Sequence, residues 1–479
     1  MTDILSLDKA LNQVPDKIEN IHIIGICGTG MAALAGMLKQ AGYKVQGSDS
    51  KVYPPMSDFL QELGIKVFDG YRPENLASKP DLVVVGNVVR QINEEAQALA
   101  ASGLPYLSFP QALAHFFIKD KTSLVITGTH GKTTTCSLLA SALYHARLDP
   151  SFMIGGIVRE FNANFRLGGG RYFVSEGDEY DTAFFDKEAK FLHYRPDIAI
   201  ISSLEFDHAD IFNNLEEIKT AFAKFIQLVP SDGLIVANLD DENVAEVVSK
   251  AKCRVIGYGS SAYWRLANLS VKEGVTSFTA VKDQQDYHDF TIKIPGRHNA
   301  MNALAVIAVL DHLGYQPQLY EQGLAGFGGV KRRQEVRGTE NGVTVIDDFA
   351  HHPTAVRETL RALKDSYGPR RLVAIFEPRT NSSRRAIFQK DYVYSFDAAD
   401  LVMIREPVPL ESVPLEEQFS SSRLAEELNA RGIEAKSFAS ADAILEHLQK
   451  TLKNGDVAAV LSNGGFENIH DRLLEQLKD

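Results

Sequence analysis

Residues 124–135 of this chain read LVITGTHGKTTT, and they decide the fold of the segment around them. The apolar run Leu-Val-Ile predicts a buried strand that ends before Gly128, and a helical pattern begins at Lys132. A strand, a glycine loop, Lys-Thr and a helix N-terminus favour a polyphosphate site, because loop N–H groups and the helix dipole attract anions. We therefore predict that this stretch binds ATP.

The loop is shorter than the usual phosphate loop, whose first glycine would fall at Ile126. A loop without a ligand is the alternative for this composition. If the loop binds ATP, Lys132 reaches the β- and γ-phosphates and the Thr133 hydroxyl can bind Mg²⁺. The predicted ATP-binding residues of this stretch are Gly128, Thr129, His130, Gly131, Lys132, Thr133 and Thr134.

Length, composition and charge exclude several classes of protein. The 479 residues are too many for one hydrophobic core, so about two to four domains are expected. Hydrophobic residues make up 44% and charged residues 23%, as in globular proteins, and no apolar run approaches a membrane span. A net charge of −12 argues against nucleic acid as a partner, and an anionic small-molecule substrate would have to be held by local basic residues.

The N-terminus and the cysteines predict a cytoplasmic protein. The first residues have neither the basic start nor the apolar core of a signal peptide. Cys27, Cys136 and Cys253 are widely separated, which argues against a disulfide framework and against a structural zinc site. We expect a reducing compartment.

The N-terminal segment alternates strands and helices in the way that is typical of a parallel, doubly wound sheet. Apolar strands are predicted at residues 21–26, 44–47, 67–68 and 82–86. The first strand leads into a G-x-x-G-x-G turn, which fits a diphosphate at a helix N-terminus, from a nicotinamide or a nucleotide sugar. A tight turn without a ligand is the alternative. The predicted ligand-binding residues are Gly25, Gly28, Gly30 and Asp49.

Two acidic clusters follow predicted strands in the central segment. SEGDEYD at residues 175–181 follows a strand at 172–174, and EFDHAD at 205–210 follows a strand at 198–202. Open α/β sheets bind ligands at the carboxyl ends of their strands, and carboxylates suit Mg²⁺. We expect Mg²⁺ near these clusters, whereas a solvated acidic loop is the alternative for either cluster alone.

The remaining segments complete the prediction of an α/β protein. Short alternating runs at residues 264–294 predict a small antiparallel addition, and PGRHNAMNA at 295–303 opens a long helix. Glycines at residues 326–329 predict a hinge. A His-Asn pair at a helix start is more often a cap, and paired histidines before a proline are usually a turn. Strands of a third α/β segment are predicted at residues 343–346, 372–376, 401–404 and 457–461.

Four motifs occur in the order seen in Mur ligases, and the chain resembles that family over nearly its whole length. The motifs are GTHGKTTT (128–135), EGDEYD (176–181), PGRHN (295–299) and DDFAHHP (347–353). Mur ligases use ATP and Mg²⁺ to join amino acids or peptides to UDP-N-acetylmuramate. The resemblance implies a Rossmann-like UDP-sugar-binding domain, a central P-loop ATP-binding domain and a C-terminal Rossmann-like α/β domain for the acceptor. The implied domain bounds are 1–118, 119–326 and 327–479.

The resemblance also implies how the central domain handles metal and phosphate. Thr133 and Glu176 would hold one Mg²⁺, and His208 would help to place a second metal ion near an acyl phosphate. The residues implied to bind the UDP sugar are Gly25, Gly28, Gly30 and Asp49. The residues implied to be catalytic are Lys132, Glu176, His208 and His351.

Further implied roles fall on two later motifs. His298 and Asn299 match the adenine-side motif of the family. Arg333 and Asp348 match residues that hold the nucleotide from the third domain, and His351 would face the reacting phosphate. ATP would then lie between the second and third domains.

The acceptor is the least determined part of the reaction. The N-terminal glycine turn resembles the branch of the family that starts from UDP-N-acetylmuramate itself, whose acceptors are L-alanine and the recycled tripeptide L-alanyl-γ-D-glutamyl-meso-diaminopimelate. Four stretches, at residues 52–57, 180–187, 377–381 and 461–466, favour the tripeptide, and L-alanine is the alternative. Two other classes stay open, an NAD(P)-dependent oxidoreductase and a P-loop ATPase that acts on a partner.

Overall fold

The chain forms three α/β units, each with its own principal sheet. A computed structural model describes residues 4–53, 56–411 and 413–478. Pro54 and Pro55, which belong to one of the acceptor-related stretches, lie outside the described residues. Among the described residues, every helix is too short or too polar to span a bilayer.

The first unit is a five-stranded parallel sheet in the order β3-β2-β1-β4-β5, which confirms the predicted doubly wound segment. All four predicted strands are present; the apolar residues of β1, β2 and β4 are buried, whereas Val67 and Phe68 of β3 are half-buried. The strands are β1 (Asn20–Ile24), β2 (Lys44–Asp49), β3 (Lys66–Asp69), β4 (Leu82–Val85) and β5 (Tyr106–Ser108). The helices are α1 (Thr29–Gln40), α2 (Met56–Glu62), α3 (Glu94–Ser102) and α4 (Phe109–Leu113).

The second unit is built on a ten-stranded sheet that is parallel at its centre and antiparallel at both edges. Its strands are β6 (Thr122–Thr127), β7 (Ser151–Val158), β8 (Ala163–Arg166), β9 (Tyr172–Gly177), β12 (Ile198–Ile201), β13 (Leu234–Asn238), β14 (Arg254–Tyr258), β15 (Trp264–Lys272), β16 (Val275–Lys282) and β17 (Gln285–Ile292). A separate hairpin contains β10 (Asp181–Ala183) and β11 (Asp186–Ala189). The helices are α5 (Lys132–His145), α6 (Leu215–Ile226), α7 (Glu242–Val248), α8 (Arg297–His312) and α9 (Pro317–Gly326).

The order of this sheet, β17-β16-β15-β14-β13-β12-β6-β9-β7-β8, places β6 between β12 and β9. The predicted antiparallel addition is therefore confirmed, and it extends the central sheet rather than forming a separate layer. Helices α5 and α8 pack together on one face of the sheet and are almost entirely apolar where they meet it. Because β12, β6 and β9 run parallel, the three loops that follow them leave the sheet at the same edge.

The third unit is a six-stranded sheet in the order β18-β19-β23-β20-β21-β22, parallel except for β18. Its strands are β18 (Glu335–Glu340), β19 (Val343–Asp348), β20 (Leu372–Phe376), β21 (Leu401–Arg405), β22 (Glu434–Phe438) and β23 (Val457–Leu461). Its helices are α10 (Pro353–Tyr367), α11 (Gln389–Tyr392), α12 (Ser421–Ala430), α13 (Ala441–Thr451) and α14 (Ile469–Gln476). The four predicted strands of this segment are confirmed.

The predicted hinge at residues 326–329 lies against the second unit. Phe327 is fully buried, and Val330 forms an antiparallel bridge with Val158 of β7. The Arg159 N–H donates to the Gly329 carbonyl, and the Lys331 N–H donates to the carbonyl of Ile157. The linker is thus held to the second unit as far as Lys331. Hinge motion and the exact domain bounds stay predictions.

Candidate active site

The glycine loop leaves the central sheet between two acid-bearing strand ends. Ile126 of β6 pairs with Glu176 of β9, and Thr127 pairs with Ile201 of β12 on the other side. Helix α5 begins at Lys132, as predicted, with Gly131 in the left-handed region as its N-cap. The first-turn N–H groups of α5 therefore face the same edge of the sheet as the acids.

Gly128 and Gly131 are required by close approach as well as by backbone conformation. Gly128 has a φ of +130°, and a Cβ there would meet Ser202 Oγ and lie 2.8 Å from the Ser203 nitrogen. Gly131 has a φ of +82°, and its Cβ would lie 2.8 Å from Asn302 Oδ1. The loop consequently fits between β12 and α8 only without side chains at these two positions.

We expect Gly128→Ala to destabilise the fold and to weaken ADP binding, because both backbone strain and a clash with the end of β12 displace the loop. The strain alone costs about 1–3 kcal/mol. The matched control is Gly314→Ala, where φ is also positive, at +82°, but the space around the Cβ is open. Chemical denaturation and calorimetric ADP titration measure both effects. Equal stability losses in the two variants, with normal ADP binding, would contradict the steric argument.

Two loop residues use their N–H groups and side chains to tie the loop to the segment after β12. The Thr129 N–H donates to the Ser203 carbonyl at 3.0 Å, and the His130 N–H donates to Ser203 Oγ at 2.9 Å. The Glu205 N–H donates to Thr129 Oγ1 at 2.8 Å. The loop conformation is thus held by neighbouring backbone.

Lys132 points into a group of carboxylates at the end of β9. Its Nζ donates to Glu179 Oε2 at 2.9 Å and lies 3.9 Å from Asp178 Oδ1. Burial opposes the charge of Lys132, but Glu179 and Asp178 outweigh it and raise its pKa above the usual value. Lys132 is therefore a fixed positive charge at the mouth of the loop.

Glu176 and Thr133 line the same space from opposite sides. Glu176 Oε1 accepts a hydrogen bond of 2.6 Å from the Gly155 N–H. Burial and the charge of Asp178 raise the pKa of Glu176. The nearby positive charges therefore do not fully compensate the negative charge of its carboxylate. β7 approaches both residues through two glycines: a Cβ on Gly155 would lie 3.1 Å from Glu176 Oε2, and one on Gly156 would lie 3.1 Å from Thr133 Cγ2. The donors present, a hydroxyl and a carboxylate, are oxygen ligands that suit Mg²⁺.

His208 and His351 flank a second carboxylate, Asp207. His208 has a φ of +53°, and its Nε2 lies 3.5 Å from Glu179 Oε1. His351 Nε2 lies 4.0 Å from Asp207 Oδ2. Burial disfavours the Asp207 carboxylate, but the neighbouring histidines, His208 first among them, outweigh burial and lower the pKa of Asp207 well below its usual range.

The third unit contributes Arg333 and Asp348 to the site. Arg333 Nη2 lies 3.5 Å from Thr133 Oγ1, and its guanidinium stacks on Phe349 at 4.6 Å. Burial lowers the pKa of Arg333 despite the nearby acids. Asp348 accepts the N–H groups of Gln334 and Ala350, each at 2.7 Å, and the Thr359 hydroxyl at 3.4 Å.

His298 and Asn299 lie at the start of α8, at the side of the same space. Burial lowers the pKa of His298 to about 4, so its ring is neutral near pH 7. Asn299 Nδ2 donates to the Pro295 carbonyl at 2.7 Å and lies 3.3 Å from Gln334 Oε1. Asn299 therefore joins the start of α8 to the chain that enters the third unit.

A cavity of about 690 Å³ lies between the second and third units. The predicted residues that line it are Thr129, His130, Gly131, Lys132, Thr133, Thr134, Glu176, His208, His298, Asn299, Arg333, Asp348 and His351. Gly128 lies at the base of the loop. No residue of the first unit is among the described residues that line this cavity.

The predicted UDP-sugar residues form a separate group at the carboxyl end of β1. Asp49 Oδ2 accepts the Cys27 N–H at 2.9 Å, and the Tyr71 hydroxyl lies 3.5 Å from Asp49 Oδ1. Gly28 caps the N-terminus of α1. Gly25 has a φ of +84°, which the turn needs.

The sequence analysis did not single out several residues that the structure brings into the site. Glu179 and Asp178 contact Lys132, and both belong to the EGDEYD motif in which only Glu176 was chosen. Asp207 precedes His208 directly. No local sequence pattern marks Gly155 and Gly156 as functional, because their importance depends on the register of β7 beside β9.

The three α/β units, with a phosphate loop that faces acids and an arginine from another unit, define an ATP-using enzyme. Comparisons with known families agree with this class. The Mur ligase family catalytic domain profile matches residues 20–120, the Mur ligase middle domain matches residues 126–310, and the profile named Mur ligase, glutamate ligase domain matches residues 332–464. The chain belongs to the Mur ligase family and is an ATP-dependent ligase.

Individual relatives align along nearly the whole chain. UDP-N-acetylmuramate–L-alanyl-γ-D-glutamyl-meso-2,6-diaminoheptandioate ligase of Escherichia coli K12 is 38% identical over 95% of this chain and 98% of its own length. UDP-N-acetylmuramate–L-alanine ligase of Geobacter sulfurreducens is 37% identical over 97% of this chain and 98% of its own length. The crystal structure of a murein peptide ligase from Psychrobacter arcticus matches with a TM-score of 0.70 and 34% sequence identity. The match covers 96% of this chain and 99% of that protein. Overall sequence identity therefore does not show whether this ligase takes the tripeptide or L-alanine as its acceptor.

Proposed function

We propose that this ligase joins UDP-N-acetylmuramate to the tripeptide L-alanyl-γ-D-glutamyl-meso-diaminopimelate in peptidoglycan recycling, within the cytoplasm. The similarity to a ligase of that name supports the proposal, but an L-alanine ligase is almost as similar. The choice of acceptor therefore depends on the residues of the third unit.

The observation that carries the choice is an arginine-rich loop after β20 in the third unit. Residues 377–381 and 461–466, both of which favoured the tripeptide, lie side by side because β20 pairs with β23. Ser462 Oγ donates to Glu377 Oε2 at 2.5 Å, and Arg379 packs on Gly464. Asn381 Nδ2 donates to Asp210 Oδ2 of the second unit at 2.9 Å. The loop therefore faces the second unit at the end where His208 lies.

The charge of this loop suits the tripeptide better than L-alanine. The loop carries Arg379, Arg384 and Arg385, of which Arg379 is exposed. Arg384 already donates to the Val408 carbonyl and to Asn381 Oδ1, each at 3.0 Å. The tripeptide has several carboxylates, whereas L-alanine has one. Guanidinium groups bind carboxylates in a bidentate manner, so a loop rich in arginine favours the acceptor with more carboxylates.

In this proposal the central loop and its surroundings position ATP. Lys132 and the first-turn N–H groups of α5 hold the β- and γ-phosphates, and Arg333 approaches them from the third unit. Thr133 and Glu176 would hold one Mg²⁺, and His208 would contribute to a second site. Mg²⁺ neutralises phosphate charge when bound. His298 and Asn299 lie where the base of the nucleotide would fit, and Asp348 supports Arg333.

The reaction follows from this placement. The carboxylate of UDP-N-acetylmuramate attacks the γ-phosphate of ATP, which gives an acyl phosphate and ADP. The α-amine of the acceptor then attacks the carbonyl carbon, and phosphate leaves from a tetrahedral intermediate. Charge neutralisation and alignment supply most of the acceleration, and closure of the third unit excludes water from the acyl phosphate. His351 faces the reacting phosphate, and Gly25, Gly28, Gly30 and Asp49 would bind the UDP group.

A side-by-side assay of phosphate release tests the acceptor. With ATP, Mg²⁺ and UDP-N-acetylmuramate present, we expect turnover with the tripeptide at low concentration and little with L-alanine. Arg379→Ala should raise the KM for the tripeptide, while Arg361→Ala, an exposed arginine on α10, serves as the control. Preference for L-alanine would contradict the tripeptide assignment but leave the ligase chemistry intact. Phosphate release without a sugar nucleotide would instead favour an ATPase that acts on a partner.

A further inference from the structure

Two histidines and a glutamate converge at the contact between the phosphate loop and the third unit. His130 Nε2 lies 2.9 Å from Glu205 Oε2, and His352 Nδ1 lies 3.4 Å from the same oxygen. One ligand atom from each of the three residues lies within 4.8 Å of the other two. The two imidazole rings are 4.7 Å apart between centroids. We call these three residues the His130 cluster.

Two of the three ligand–ligand separations in the His130 cluster, both to Glu205 Oε2, are close to the edge of a tetrahedral zinc site, and the third lies within 4.8 Å. Zinc bonds to imidazole nitrogen and carboxylate oxygen are roughly 2.0–2.1 Å long, so neighbouring ligand atoms in a tetrahedron are about 3.3 Å apart. The observed separations of 2.9 and 3.4 Å bracket that value. His130 Nε2 donates to the Glu205 carboxylate, so Zn²⁺ binding at this nitrogen would require its proton to move to Nδ1 or to be released to solvent.

The environment of His352 fixes the tautomer that a metal requires. His352 Nε2 lies 3.2 Å from the Phe206 carbonyl, which can only accept, so Nε2 carries the proton. Nδ1 is consequently the unprotonated nitrogen, and its lone pair accepts the Thr354 N–H at 3.3 Å as the N-cap of α10, so a bound ion would replace this long hydrogen bond. A histidine whose second ring nitrogen donates to a carbonyl is the arrangement found around protein-bound zinc. Burial, followed by the charge of His130, lowers the pKa of His352, so its imidazole is neutral.

Ligand type distinguishes this cluster from the magnesium residues. Thr133 and Glu176 offer oxygen, as Mg²⁺ prefers, whereas the His130 cluster offers two nitrogens and one carboxylate. We propose that His130, Glu205 and His352 form a binding site for Zn²⁺, with the fourth position open to the cavity. The three cysteines argue against a structural zinc site, but the ligands of the His130 cluster are histidines and a glutamate that are far apart along the chain.

Zinc at this position would link two units. His130 belongs to the phosphate loop and Glu205 to the segment after β12, whereas His352 begins α10 of the third unit. A bound ion would therefore tie the third unit to the loop and raise the melting temperature, because it binds only the folded arrangement.

The test is Zn²⁺ titration of the full-length protein after it has been stripped with a chelator and exchanged into chelator-free buffer. Competition with a chromophoric chelator measures stoichiometry and affinity, and Co²⁺ replacement reports tetrahedral geometry by its visible absorption. We expect one ion per chain. Glu205→Gln and His352→Asn should each weaken binding by about 100-fold or more. Asn retains the N-cap of α10, so folding should be preserved, as circular dichroism will show.

Two control variants separate this site from other histidines. His288→Asn removes a histidine that is also paired with a glutamate, at 2.7 Å, and it should leave Zn²⁺ binding unchanged. His208→Asn should also leave it unchanged. The proposal would be overturned if the wild-type protein bound no Zn²⁺. It would also be overturned if Glu205→Gln and His352→Asn bound normally, or if His208→Asn abolished binding, since the ion would then occupy the magnesium residues.

Discussion

Lys132→Ala is expected to reduce kcat by about 1,000-fold or more, because a fixed charge that neutralises the transferring phosphate is lost. The variant should also unfold more easily. Glu179 is nearly buried and Lys132 donates to it at 2.9 Å, so removal of the lysine leaves a carboxylate without its cation. Breaking such a pair costs about 3–5 kcal/mol. Steady-state phosphate release and chemical denaturation measure the two effects.

Two further variants separate lost chemistry from lost stability. Lys132→Ala combined with Glu179→Gln removes both charges, so it should regain stability while turnover remains absent. Lys282→Ala breaks another partly buried pair, 2.8 Å from Asp311 and outside the cavity, and should keep nearly full turnover. Turnover of Lys132→Ala within tenfold of the wild type would show that the lysine does not contact the reacting phosphate.

Glu176→Gln is expected to reduce kcat by about 100- to 1,000-fold and to shift Mg²⁺ saturation to higher concentration. The carboxylate is the only charge that this position offers to a metal, and glutamine keeps its shape. Burial and Asp178 raise the pKa of Glu176, so protons compete with Mg²⁺ at higher pH than for an ordinary glutamate. In the wild type, apparent Mg²⁺ affinity should therefore fall as the pH is lowered towards that raised pKa. The variant should lose this part of the pH dependence.

Binding of UDP-N-acetylmuramate should be unaffected by Glu176→Gln, since none of the described cavity-lining residues comes from the first unit. Calorimetry with the sugar nucleotide alone checks this. The matched control is Glu321→Gln, which removes a glutamate that pairs with His288 and should leave Mg²⁺ dependence unchanged. Normal Mg²⁺ dependence of Glu176→Gln would contradict its assignment as a metal ligand.

Local sequence patterns predicted the α/β class and many of the strands, whereas β5, β7, β8, β13, β14, β18 and β22 were not predicted. The apolar run before Gly128 and the helical spacing after Lys132 predicted β6 and α5, and similar patterns predicted most of the parallel strands of the other two units. These signals are local, because burial of one face imposes a period on the chain wherever a strand or helix forms. The Mur ligase motifs then linked the three units to one family, which the whole-chain matches confirmed.

The contacts within the site could not be read from the same patterns. EGDEYD offers Lys132 four acids, and only the turn after β9 places Glu179 at 2.9 Å and Asp178 at 3.9 Å. Gly155 is an ordinary glycine in the sequence and becomes necessary because β7 passes close to Glu176. Strand register and turn geometry depend on packing throughout the unit, so no short window determines them.

The sequence by itself determined the α/β class, many of the strands and helices along the chain, the family and the residue types that carry the chemistry. Only the tertiary structure decided which of them meet. Arg333 approaches Thr133 across 200 residues of chain, and His352 reaches Glu205 across the contact between two units. The physical reason is that hydrophobic periodicity is a local property of a short segment of chain. Contacts between distant residues depend instead on how whole sheets pack against each other.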